Sequence, residues 1–164
     1  DVPALVGLRR EAEQWLAERG IRQWTAKWTQ VGDAKLERAA RQGRAWVLDQ
    51  DGGTIATVTL GGPDEDLWRI EDGPALYLYK LMVSRRMSGR GLGALLINWS
   101  CDQAHRHGYP VLRLDIWPNN SGLAEYYLSQ GFTHVRTVHV PGRDTGMLFQ
   151  RQAAPTPTPH LQVA

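Results

Sequence analysis

Leu81-Met82-Val83-Ser84-Arg85-Arg86-Met87-Ser88-Gly89-Arg90-Gly91-Leu92-Gly93-Ala94-Leu95-Leu96 is the stretch that decides how this chain folds. An apolar strand over 75–83 runs into a turn with glycine at every second position, and a helix over 91–107 begins at once. Such a turn aims several free backbone N–H groups at one point, on the positive end of a helix dipole. A phosphate or pyrophosphate is the natural occupant, because its oxygens accept those bonds without a cationic side chain. Glycine suits the place because a Cβ would block the approach of the anion to the backbone. The same residues also suit a tight strand-to-helix connection that binds nothing. Two common phosphate loops do not fit. The spacing Gly89, Gly91, Gly93 is not the G-x-G-x-x-G of dinucleotide folds, and no Lys-Ser or Lys-Thr follows the glycines, as a triphosphatase loop requires.

Upstream, Leu5, Leu8, Ala12, Trp15 and Leu16 recur at helical spacing after Asp1-Val2-Pro3, where Asp1 reads as a cap, and Gly20 closes the element. A second helix is expected over 33–42, with Leu36, Ala39 and Ala40 on its buried side. Between them lies Trp24-Thr25-Ala26-Lys27-Trp28, which propensity does not assign. Two strands, 45–48 and 54–60, flank Asp51-Gly52-Gly53 as a hairpin. The loop 61–73 carries Asp64, Glu65, Asp66, Glu71 and Asp72 and reads as a solvated acidic segment. Downstream come a buried strand over 111–117, a short helix over 121–130, and late strands near 132–140 and 146–151. The tail 153–164, with Pro155, Pro157 and Pro159, reads as extended and outside the core. The expected organisation is one domain over 1–152 plus that tail, built as an α/β sandwich on a central mixed sheet.

The second informative stretch is Asn119-Asn120-Ser121-Gly122-Leu123-Ala124-Glu125-Tyr126-Tyr127-Leu128-Ser129-Gln130-Gly131-Phe132. Together with Ser88-Gly89-Arg90-Gly91-Leu92-Gly93 it resembles the GNAT superfamily of N-acetyltransferases. That family has a strand, an Arg/Gln-x-x-Gly-x-Gly/Ala turn and a helix. An Asn, a short helix bearing Tyr, and Gly-Phe then follow in this order. The likeness spans roughly 44–151. Ser88 departs from the usual Arg or Gln, which removes a side-chain contact and leaves the backbone cradle; Arg86 and Arg90 are the nearby cations. Family members also begin with a strand before the first helix, so that strand is expected to be trimmed or absent here.

The resemblance implies a GNAT-like fold, a central mixed twisted β-sheet flanked by helices on both faces. It also implies acetyl-CoA as the acyl donor and an amine as acceptor. The backbone of Leu81, Met82 and Val83 would pair with the pantetheine arm and polarise the thioester carbonyl. Ser88, Gly89, Arg90, Gly91, Leu92, Gly93 and Ala94 would cradle the pyrophosphate. Asn120 would contact the coenzyme, or simply cap its helix, and Tyr127 would protonate the departing thiolate. Many members carry a carboxylate base on the strand before the turn, but Tyr79 and Lys80 stand there. Glu71, Asp72 and Asp115 are the base candidates, although Arg113 would also explain Asp115 as an internal pair. Trp24 and Trp28 fall in the connection that lines the acceptor side, and would form an indole wall for a flat, apolar or cationic amine.

Bulk properties narrow the rest. The 164 residues are 42% apolar and 22% charged, with a formal net charge of +2, ordinary values for a globular domain. The basic residues are dispersed, so no nucleic-acid partner is expected. One cysteine, Cys101, allows no internal disulfide and fits a reducing compartment. No apolar run suggests a membrane span or a signal peptide. The histidines do not cluster, so no metal is expected. The expectation is a cytoplasmic acyltransferase acting on a small-molecule amine, with a homodimer plausible through an exposed late strand. The alternatives are a protein or peptide N-acetyltransferase, or a coenzyme-A-binding sensor without turnover.

Overall fold

The computed structural model describes residues 2–21, 26–142, 146–157 and 161–164, with backbone alone for 26–29. In chain order the elements are α1 (Val2–Glu18), α2 (Ala26–Arg41), β1 (Ala45–Gln50), β2 (Gly53–Gly61), β3 (Leu76–Val83), α3 (Leu92–Arg106), β4 (Val111–Ile116), α4 (Ser121–Ser129), β5 (Thr133–Thr137), β6 (Met147–Gln152) and β7 (Gln162–Val163). Single 3-10 turns lie at Ile70–Asp72 and Arg85–Met87. The strands form one mixed sheet in the order β5-β6-β4-β3-β2-β1-β7. No helix among the described residues is long and apolar enough to cross a membrane. The chain divides into two compact units, one of Asp1–Leu60, Tyr79–Leu96 and Pro159–Ala164, the other of Gly61–Leu78 and Ile97–Thr158.

In the first unit, Leu5 and Leu8 of α1, Leu36, Ala39 and Ala40 of α2, Ala45 and Val47 of β1 and Met82 of β3 form one core cluster. The hairpin of β1 and β2 closes through Asp51 (φ 53°) and Gly52 (φ 77°), the left-handed pair that suits the twist of antiparallel strands. Gly20, at φ 71°, ends α1 as its sequence position implies. The proposed cap Asp1 lies outside the described residues.

Two expectations change here. The second helix begins at Ala26, not near Asp33. Gly32 hides its first turns from a propensity reading, since glycine within a helix costs about 1 kcal/mol. Packing explains the glycine. A Cβ at Gly32 would stand 2.3 Å from the guanidinium of Arg9, which is 1% exposed and ion-paired with Glu13 (2.7 Å) and Asp33 (2.8 Å). A buried cation needs such partners, and Gly32 makes room for it. The proline-rich tail is also not wholly outside the core. β7 pairs antiparallel with β1, Trp46 opposite Val163 and Val47 opposite Gln162, and Leu161 is 2% exposed.

In the second unit, β3 and β4 run parallel with Leu76 opposite Leu112 and Tyr77 opposite Arg113. β4 and β6 are antiparallel from Val111–Gln152 to Ile116–Met147, and β5 pairs antiparallel with β6. The acidic loop is more than a solvated segment, because Leu67 and Trp68 within it are buried. The start of the tail is held as well. Ala153 N donates to Pro110 O (2.9 Å) and Thr156 N to the carboxylate of buried Asp102 (3.2 Å).

Leu161→Ala tests the docking of the tail. It is expected to lower stability by about 2–3 kcal/mol, as for other buried leucines, in urea unfolding. A peripheral tail would leave the midpoint unchanged.

Candidate functional site

The glycine turn belongs to the first unit, and it is built from the end of β3. Along this strand the alternation of buried and half-buried residues breaks, with Tyr77 and Leu78 both buried and Tyr79, Lys80 and Leu81 all half-buried. Lys80 adopts φ 50°, a left-handed state that costs a side-chain-bearing residue roughly 1–2 kcal/mol. Lys80, which stands where many family members carry a carboxylate, thus sits where the backbone rolls over, directly before Leu81, Met82 and Val83. Met82 is core, whereas Leu81 and Val83 are half-buried.

After β3, Ser84 N donates to Ile55 O (2.8 Å), and Met87 N to Ser84 O (2.9 Å), which closes the 3-10 turn. Ser88, Gly89, Arg90 and Gly91 are exposed. Gly89 and Gly91 have φ of 78° and 74°, and a Cβ built on either would meet nothing within 4 Å. Protein packing therefore does not demand these glycines. The left-handed backbone demands them, and so would an anion seated against the chain. Leu95 N donates to Gly91 O (3.0 Å), so Gly91 caps α3, and the amides of Leu92, Gly93 and Ala94 form its open first turn. That arrangement fits a pyrophosphate. Of the nearby cations, Arg90 is exposed in the turn itself, Arg86 lies beside Gly53, and Arg85 covers Trp15.

The Trp15 ring takes the guanidinium groups of Arg19 (4.1 Å to the centroid) and Arg85 (4.2 Å). Each contact contributes about 0.5–1 kcal/mol. Ser84 Oγ lies 3.5 Å from Glu11 Oε1. Trp15 shows in the sequence only as one of the apolar residues at helical spacing, and Glu11 and Ser84 carry no local signal; the packing of α1 shows their place beside the turn.

The second unit holds Asn120 and Tyr127. Asn120 caps α4, its side-chain oxygen accepting from Leu123 N (3.1 Å). Tyr127 is 6% exposed. Its ring meets Tyr126 and Phe132 edge-on at 5.5 Å, so the Phe that follows Gly131 serves as a wall for the phenol. Burial pushes the Tyr127 phenol well above its ordinary value, and the neighbouring Tyr126 and the Asp115 carboxylate push it the same way. Tyr127 therefore holds its proton at every ordinary pH.

Of the base candidates in this unit, Asp72 is removed. It accepts from Arg136 Nη1 and Nη2 at 2.7 and 2.6 Å and from Arg69 N at 2.8 Å. The Arg136 hydrogen bond, working against burial, holds its carboxyl down to about 2, too low to take a proton from an amine. Arg113, considered as a partner for Asp115, bonds to Gly73 O (2.9 Å) and Tyr77 Oη (3.2 Å) and to the Asp72 carbonyl. Glu71 lines a cleft of about 580 Å³ with Glu65, Trp68, Ile70 and Tyr77. Trp24 and the side chain of Trp28 lie outside the described residues, and the indole wall with them.

A sequence model of the "Acetyltransferase (GNAT) family" matches residues 8–132. The chain belongs to this family. The uncharacterized N-acetyltransferase YesJ of Bacillus subtilis (strain 168) is 30% identical over 138 residues, 80% of this chain and 76% of its own. Among solved structures, a GNAT-family acetyltransferase of Streptococcus agalactiae 2603 superposes with TM-score 0.72 at 19% identity, covering 92% of this chain and 89% of that one. A second, from Listeria monocytogenes 4b F2365, gives TM-score 0.71 at 23% identity, covering 92% and 86%. The mixed seven-stranded sheet with four helices is the GNAT fold, and the chain is an acyltransferase.

Asp72→Asn is expected to cost about 2 kcal/mol at neutral pH, the scale of a hydrogen bond to a charged group. Because the folded value is depressed from 3.8 to about 2, this contribution is complete above about pH 4 and fades as pH falls toward 2. Denaturant midpoints of wild type and variant should therefore converge over that interval.

Proposed function

We propose that this chain transfers the acetyl group of acetyl-CoA to the primary amine of a small molecule by direct attack, with Tyr127 as general acid. The observation that carries the coenzyme half is the turn. Two left-handed glycines with open space before them lead directly into a helix, whose first amides have no partner within the helix. The amides of Leu92, Gly93 and Ala94, with Gly89, Arg90 and Gly91, would hold the pyrophosphate, and Ser88 and Arg90 offer the exposed side chains. The backbone of Leu81–Val83, beyond the left-handed Lys80 and beyond the β3–β4 pairs at Leu76 and Tyr77, would take the pantetheine arm and stabilise the oxyanion.

The thioester supplies an activated acyl group. As the amine nitrogen bonds to the carbonyl carbon and the carbon–sulfur bond breaks, the thiolate must gain a proton and the nitrogen must lose one. Tyr127 always carries a proton, so donation is the role open to it. The same burial that weakens the phenol as an acid would also make an unsolvated thiolate a stronger base. Glu71 and Asp115 are the remaining candidates to receive the amine proton. The acidic residues of the 61–73 segment favour a cationic amine, and the edge strand β5, with Val135 exposed, is where a second copy would pair.

Tyr127→Phe is expected to lower turnover by about 100-fold or more, with coenzyme A affinity retained by calorimetry; unchanged turnover sinks the acid. Gly91→Glu is expected to abolish coenzyme A binding in a protein whose circular dichroism is unaltered, and unaltered affinity sinks the cradle. A screen of amines with acetyl-CoA, following thiol release, identifies the acceptor class; release with peptides alone would favour the peptide reading.

A further inference from the structure

We propose that α1 clamps the glycine turn, with Trp15 holding Arg85 so that the Gly89–Gly91 backbone is already shaped for an anion. The proposal rests on the coenzyme reading above and adds positioning residues to it.

The turn has little packing of its own. From Ser88 to Gly91 every residue is exposed, and the two left-handed glycines face open space. Its shape is therefore inherited from its two ends. At the far end it becomes α3. At the near end the backbone is a relay of short-range bonds: Met87 N to Ser84 O, Ser88 N to Arg85 O (3.1 Å) and Arg90 N to Met87 O (3.4 Å). Wherever Ser84 and Arg85 stand, the rest of the relay follows.

Three anchors fix that near end. Ser84 N is tied to Ile55 O of β2, and Met87 is buried. The third anchor is α1. Glu11 and Trp15 are four residues apart and so share one helix face; Glu11 reaches Ser84 and Trp15 takes the Arg85 guanidinium on its ring. Trp15 Nε1 is buried and has no hydrogen-bond partner among the described residues. The indole acts through its ring, which takes the Arg19 guanidinium as well. Trp15 acts on the turn through Arg85 and is a positioning residue.

The test compares wild type, Trp15→Phe, Trp15→Leu, Arg85→Ala and the double variant Trp15→Leu/Arg85→Ala. Two readouts are taken, amide hydrogen exchange without ligand and coenzyme A affinity by calorimetry. Trp15→Leu is expected to speed exchange over 84–91 by about tenfold while the β1–β2 hairpin keeps its protection. It should also weaken coenzyme A binding by about five- to tenfold. Trp15→Phe, which keeps a ring, should restore most of both. The double variant should bind no worse than the weaker single one, because both remove the same stack. Unchanged exchange over 84–91, uniform acceleration across the hairpin, failure of phenylalanine to rescue, or losses that multiply in the double variant each overturn the clamp. A wild type that does not bind coenzyme A overturns the coenzyme reading, and the exchange arm then judges the clamp alone.

Discussion

Backbone amides can be offered to an anion only where nothing is packed before them. That constraint shapes the whole first unit. The stretch from Ser88 to Gly91 is exposed, so the usual means of fixing a conformation, burial among side chains, is not available to it. Stiffness has to come from the neighbours. Met82 in the core, the bond from Ser84 to β2, buried Met87 and the face of α1 supply it on one side, and the first hydrogen-bonded turn of α3 on the other.

Buried charge is handled in both units by supplying several partners at once. Arg9 sits almost fully enclosed against Glu13 and Asp33. Arg113, 5% exposed, donates to the Gly73 carbonyl and the Tyr77 hydroxyl and lies over the Trp68 ring. Arg136 grips Asp72 through both terminal nitrogens. Each guanidinium uses its planar fork to reach several acceptors at once, in a geometry that a lysine ammonium does not reproduce. The segment 61–73 looks polar along the chain, yet these arginines and Trp68 make it a packed part of the second unit.

What was legible in the sequence was what depends on neighbours along the chain. The Asp51-Gly52 turn, the Gly20 stop of α1, the strand–glycine–helix order and the cap at Asn120 are local events with local signals. What was not legible depends on partners far away. Gly32 reads as a helix breaker until Arg9 is seen above it. Leu161 reads as part of a loose tail until β1 offers an edge to its neighbours. Asp72 reads as a free carboxylate until Arg136, sixty-four residues on, closes over it. The left-handed Lys80 has no local signal, since the residue type disfavours that state and only the strand around it imposes it.

The enclosed phenol of Tyr127 carries a consequence for timing. A group that holds its proton so firmly is a poor place to leave a negative charge, and a phenoxide among Tyr126, Phe132 and the Asp115 carboxylate would be a high-energy species. If this phenol gives its proton to sulfur, the vacancy must be refilled almost as it forms. Loss of the proton to sulfur and its return to the ring then belong to a single coordinated passage, with the ring as a relay that never rests empty.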